Sequence, residues 1–175
     1  MNKTDISRFR PRVASRAQTV VAVVAVVACL LAGAQAVSAA GWHGIEPLKS
    51  RRADVERELG QPVQQNLSAT NSLNFKVAGG MVTITFVDAK FVQTKKLAPD
   101  AEGTVLLIVL RHDNSSDTPE SLDLRNKSGF TREEKAGMIV FYNQKDGMTY
   151  TFINGRLKTT RYAAATEQLL RAQRG

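Results

Sequence analysis

The sequence predicts an α+β fold, an antiparallel sheet with helices on one face, lying behind an export leader. Three observations predict it. A short helix with a marked start and stop is written into residues 50–59. Apolar and polar residues alternate with period two through Leu73, Phe75 and Val77 and again through Val82, Ile84 and Phe86, as half-buried strands require. Further on, Met138–Asn143, Met148–Ile153 and Arg156–Tyr162 are separated by Asp146-Gly147 and Asn154-Gly155, dipeptides that supply the positive φ of tight hairpin turns. Strands and helices fall in blocks and do not alternate as βαβ, which points to α+β.

The leader comes first. Five basic residues (Lys3, Arg8, Arg10, Arg12 and Arg16) and one acid (Asp5) precede an uncharged run from Ala17 to Ala40. Val20–Leu31 is almost wholly Val, Ala and Leu, and Ala34-Gln35-Ala36 and Val37-Ser38-Ala39 offer small-x-small cleavage sites. This is the three-part pattern of a secretory signal, with the cut expected after Ala39 or Ala40. Residues 1–40 are therefore expected to be a signal peptide and 41–175 a single α+β domain. Two alternatives stay open. Residues 17–40 approach the ~20 needed to span a bilayer as an anchor, and Val26-Val27-Ala28-Cys29 loosely fits a lipidation site at Cys29. Against lipidation, Leu30-Leu31-Ala32 continues the apolar run. Cys29 is the only cysteine, so a chain cut after it has no disulfide and depends on its core.

The leader also holds half of the formal net charge of +8. What is left, interleaved with acids, is ordinary surface charge. An export signal and the lack of aromatic–basic alternation argue against nucleic acid.

Next comes the helix. Ser50 offers a hydroxyl for the N-cap, and Leu48 is placed to staple back onto the apolar side. Val55 and Leu59 lie four apart and face one way, leaving Arg51, Arg52, Glu56 and Arg57 to water. Gly60 suits the left-handed position after the helix, and Pro62 cannot continue it. The run Gly44-Ile45-x-Pro47-Leu48-x-Ser50-x-x-Ala53-Asp54-Val55-Glu56-x-x-Leu59-Gly60-x-Pro62 resembles the helix opening of the SmpA/OmlA family. These are small outer-membrane lipoproteins that attach to the β-barrel assembly machinery. It resembles more closely a group of uncharacterised exported bacterial proteins sharing that opening. Leu97-Ala98-Pro99-Asp100 with Thr104-Val105, and the end from Tyr162 to Leu170-Arg171, resemble the second group too. The resemblance implies cysteines near Lys90 and after Leu170-Arg171, and both are missing here.

Around that helix the chain reads in order. Gly41–Pro47 is expected to be extended, with Trp42 and Ile45 as apolar anchors, and Gln61–Ser72 to be a polar loop. Gly79-Gly80 is the expected turn of the first hairpin. Val105–Leu110 is six apolar residues in succession, expected as a central strand covered on both faces. Arg111–Glu120 reads as a long exposed connection. Ser121–Ala136 is ambiguous, with Leu122 and Leu124 alternating while Thr131-Arg132-Glu133-Glu134 suits a short helix. Ala163–Arg174 is expected to be a closing helix docked by Leu169 and Leu170. The layout also admits two helix-plus-three-strand units, an arrangement known in secreted β-lactamase inhibitor proteins of similar fold, although internal similarity is too weak for a repeat.

Candidate chemistry is thin. His43 and His112 are the only imidazoles. His112-Asp113 beside Ser115-Ser116 suggests a hydrolytic triad, but a triad needs a base oriented by a third group, not sequence neighbours on a loop. Asp113, Asp117, Glu120 and Asp123 lack the central Gly and terminal Glu of a calcium loop. Asp54, Glu56 and Glu58 read as solvated helix surface. No glycine-rich phosphate loop follows a strand.

The expectation is therefore an exported, non-enzymatic envelope protein without cofactor or metal, acting as a protein-binding or scaffolding module. It would be periplasmic or secreted after cleavage, and its partner another cell-envelope protein. Two other readings stay open: a periplasmic or secreted enzyme inhibitor or sensor, and a small hydrolase using His112. The candidate partner surface is Trp42, Arg51, Arg52, Lys95 and Lys96, whose basic pairs suit lipid headgroups or an acidic partner or simply a solvated face.

Overall fold

The computed structural model describes residues 40–66 and 71–173. The expected leader, with Cys29 and the small-x-small sites, lies outside the described residues. Among those described, eight strands form one antiparallel sheet in the order β1-β2-β3-β4-β8-β7-β6-β5. The strands are β1 (Gln64–Asn66), β2 (Ser72–Val77), β3 (Gly80–Phe86), β4 (Val105–His112), β5 (Thr131–Lys135), β6 (Met138–Asn143), β7 (Met148–Ile153) and β8 (Arg156–Ala163). Three helices accompany them: α1 (Arg52–Leu59), α2 (Ala89–Lys95) and α3 (Thr166–Ala172). The fold is α+β and strand-rich. Each half of the sheet is a four-strand meander, and the last strands of the two, β4 and β8, pair along the middle. Each half thus has four strands and not the three of the alternative layout, and no helix opens the second.

Period-two alternation does the packing. Leu73 and Phe75 on β2 stand opposite Ile84 and Val82 on β3, which stand opposite Ile108 and Leu110 on β4. With Ile45 and Val55 they form the first core. A second core joins Phe141, Phe152 and Leu157 to Leu124, with the two phenylalanine rings edge-to-face at 6.1 Å. Each such side chain taken fully from water contributes roughly 1.5–3 kcal/mol. Among the described residues no buried side-chain polar atom lacks a partner, and no helix is long and apolar enough to cross a membrane.

Several expectations are corrected. The first helix starts at Arg52, and Ser50 is not its cap. The Ser50 hydroxyl accepts the Glu46 N–H at 2.9 Å, while the Asp54 carboxylate reaches back to the Arg51 N–H at 2.9 Å. Leu48 sits at positive φ and donates its N–H to the Val105 carbonyl at 2.7 Å; it is Ile45 that joins the core. Gly41–Pro47 is a tight turn and not an extended run. The loop after α1 carries an edge strand, β1, and α2 follows the first hairpin, opened by the Asp88 carboxylate accepting from the Phe91 N–H at 2.7 Å. Arg111–Glu120 is not wholly exposed loop: β4 runs on to His112, and Pro119 is buried. Thr131–Lys135 is an edge strand with every residue exposed, not a helix.

The turns also shift. The first hairpin turns at Ala78-Gly79, because Gly80 already pairs with Val77. Asn154 and Gly155 both have positive φ as expected, whereas Asp146 does not and Gly147 does. Asn143 pairs with Met148, so that dipeptide ends a four-residue loop. In α3, Leu169 is half-buried and Leu170 is exposed.

Candidate functional site

The site grows from two turns. At the first, Trp42 and Ile45 exchange both backbone hydrogen bonds, at 3.0 and 2.9 Å, around His43 and Gly44, which both have positive φ. Ile45 is pulled into the core with none of its surface exposed. Trp42 stays half-buried, packed on that core with its ring edge-on to His43 at 4.3 Å. At the second turn, Gly80 lets β3 lie against β4 so closely that a Cβ there would come within 1.9 Å of the Arg111 carbonyl oxygen.

Between the turns lies a cleft of about 410 Å³. Leu59, Val77 and Leu110 give it apolar walls, Trp42 and His43 form one lip, and Glu58, Arg111 and His112 supply the polar groups. A concave site with apolar walls and few polar groups suits capture of a ligand or side chain. His112 Nε2 lies 3.0 Å from the Thr160 hydroxyl. Burial pushes the His112 imidazole below its ordinary pKa, and the Asp117 charge opposes this in part.

The tempting triad is not assembled. The Ser115 hydroxyl donates to the Asp117 carboxylate at 2.9 Å and accepts the Asp117 N–H at 3.1 Å. It is committed to a local turn, and His112 is committed to Thr160. Among the described residues no group of three or more His, Cys, Asp or Glu is placed to hold a metal ion.

The predicted partner residues do not come together. Trp42 belongs to the cleft. Arg51 lines a second cavity, of about 480 Å³, where its guanidinium donates to the backbone carbonyls of Asp100 at 2.7 Å and Glu102 at 3.1 Å. Arg52 pairs with Glu56 at 2.8 Å within α1. Lys95 and Lys96 are exposed at the end of α2, where the Lys95 carbonyl accepts from the Gln173 side chain at 2.8 Å. Sequence reasoning passed over His43, Glu58 and Arg111 as cleft residues. The His43-Gly44 dipeptide was a readable turn signal; the other two are brought in only by tertiary pairing.

No family model matches the chain, and no curated protein matches it. Two solved structures are similar in outline. One is a DUF4309 family protein (YjgB) from Bacillus subtilis, 12% identical, covering 69% of this chain and 82% of that one with a TM-score of 0.46. The other is an extracellular protein containing a SCP domain from Bacillus anthracis, 11% identical, covering 71% of this chain and 46% of that one with a TM-score of 0.37. At these scores neither likeness carries a functional argument.

Proposed function

We propose that this is an exported, non-enzymatic protein of the cell envelope that binds another envelope protein by seating one of its apolar side chains in the Trp42 cleft. The observation that carries this reading is the makeup of the cleft: apolar walls under a tryptophan lip, with the neighbouring imidazole and hydroxyl held in structural hydrogen bonds. Aromatic residues over a desolvated pocket are what protein interfaces concentrate their binding energy on. The basic leader and apolar run of residues 1–40 support export. The resemblance of residues 44–62 to the SmpA/OmlA opening supports a partner in outer-membrane assembly. The exposed edge strand β5 provides a second contact surface.

The test is site-specific photo-cross-linking in the intact envelope from Met81, at the rim of the cleft. The expected result is a defined protein adduct that disappears in Trp42→Ala while the fold, followed by circular dichroism, persists. Adducts indifferent to Trp42 would overturn the reading. So would a hydrolytic turnover that vanishes in His112→Ala.

A further inference from the structure

The second cavity is a different kind of place. Its walls come from the stretch before α1, from the short turn Pro99–Ala101 with its flanks, and from Gln168, Arg171 and Ala172 of α3. These three segments are tied to each other by main-chain bonds. Arg51 and Thr104 form a β-bridge, the Val105 N–H donates to the Ser50 carbonyl at 2.8 Å, and the Ala98 N–H donates to the Ala172 carbonyl at 2.7 Å. The cavity is therefore built before any ligand arrives.

Its charge is one-sided. Lys49, Arg51 and Arg171 line it against a single carboxylate, Asp100. The Arg51 guanidinium donates to the neutral backbone carbonyls of Glu102 and Asp100, which hold it in place without cancelling its charge. Lys49 meets Glu46 at 3.0 Å with 71% of its side chain in water, and an exposed pair of that kind is worth little. Arg171 is exposed on the last turn of α3. Guanidinium and ammonium groups converging from separate segments are the chemistry that holds phosphate oxygens. The cavity is too roomy for one phosphate, and Leu48, Ala98 and Ala172 give it apolar wall for an attached group.

We propose that this cavity binds a diphosphate-bearing anion, with the phosphates on Lys49, Arg51 and Arg171 and the attached group along Leu48 and Ala98. The diphosphate is either that of a soluble compound or the headgroup of a lipid that carries a diphosphate. The site is independent of the Trp42 cleft and stands whether or not a protein binds there.

The experiment is titration calorimetry of the full-length protein with inorganic pyrophosphate at low ionic strength, beside sedimentation with phosphatidylcholine vesicles that carry a polyprenyl diphosphate and with neutral phosphatidylcholine vesicles alone. Pyrophosphate should bind. Lys49→Gln with Arg171→Gln should weaken it by about tenfold or more, and added salt should weaken it further. Lys127→Gln with Lys145→Gln removes the same charge from exposed positions outside the cavity and should leave binding unchanged, as should Trp42→Ala. Binding to the diphosphate-bearing vesicles that pyrophosphate displaces assigns a lipid headgroup; pyrophosphate binding without vesicle binding assigns a soluble diphosphate. Pyrophosphate that fails to bind overturns the proposal. Equal losses in the two double variants overturn it as well.

Discussion

Replacing Gly80 with alanine tests the cleft and the sheet in one step. Gly80 opens β3 and pairs with Val77 on one side and His112 on the other. A Cβ built on it meets the Arg111 carbonyl oxygen at 1.9 Å, where 3.0 Å is already closer than real Cβ atoms come. The obstacle is backbone, so no side-chain rotation relieves it. β3 and β4 must part by about 1 Å at that end. The pairs Gly80–His112 and Met81–Arg111 would lose hydrogen-bond geometry, at roughly 1 kcal/mol each, and the underlying packing would loosen. A destabilisation of about 2–3 kcal/mol follows, lowering the melting midpoint by roughly 10 °C. Gly79 is the control. It has φ +82° with open space around its Cβ position, so Gly79→Ala costs only left-handed strain, about 1 kcal/mol. The assay is urea unfolding followed by the emission of Trp42, the chain's only tryptophan. Gly80→Ala should also shift that emission before any denaturant is added, since the parted strands form one wall of the Trp42 cleft. A Gly80→Ala variant as stable as wild type, or less perturbed than Gly79→Ala, would refute the close approach and the cleft built on it.

Three further outcomes are expected. Val55 is fully buried in the first core, so Val55→Asp should cost more than about 3 kcal/mol by burying an unpaired charge; unchanged thermal melting by circular dichroism would mean that α1 presents another face. The Arg51 N–H, and then Arg57, hold the Asp54 carboxyl below its ordinary pKa. Its contribution to stability is then full above about pH 4 and lost as pH falls through the lower folded value, so Asp54→Asn should flatten the acid limb of the stability–pH curve. Burial lowers the His112 pKa, so the unfolded chain takes up a proton first. Stability should decline as pH drops from about 6.5 toward the folded pKa, and a proton NMR titration of the His112 ring should show a midpoint below that of a free imidazole.

The hairpins were legible because their signals are local. Alternation and Asn154-Gly155 state both the strands and the turn between β7 and β8, and no distant residue is needed to decide them. Strand β5 was not legible for the opposite reason. Thr-Arg-Glu-Glu-Lys has no apolar face and becomes a strand only by pairing with β6 across the turn at Ala136 and Gly137, both at positive φ. Helix α2 carried a readable cap at Asp88, but has no buried residue and so no apolar stripe to show. Leu124 lies 1% exposed in the second core, though the stretch around it read ambiguously; only the fold brings it together with Phe141 and Phe152. At the candidate sites, Trp42 and Arg51 stood out as an aromatic anchor and a basic pair. Their companions, Arg111 in one cavity and Arg171 in the other, are set by strand register and by the docking of α3, which no spacing encodes.

The seam between the two meanders bears directly on the cleft. The halves of the sheet meet along five registered pairs, Leu107–Arg111 against Thr159–Ala163. Tyr162, from the second meander, packs on the core of the first. One residue beyond the last of those pairs, His112 on β4 reaches back to the Thr160 hydroxyl on β8, and Thr160 is itself buried. A polar group of the cleft is thus held by the other half of the sheet. The first meander alone would leave the His112 imidazole without that partner and β4 as an exposed edge, a liability for any open sheet. A ligand of the proposed kind that shifted His112 would therefore change the energy of the β4–β8 seam, and by reciprocity the seam would modulate its affinity. If the cleft binds as proposed, the second meander, whose outer strand is wholly exposed, would act on that binding through Thr160 without lining the cleft.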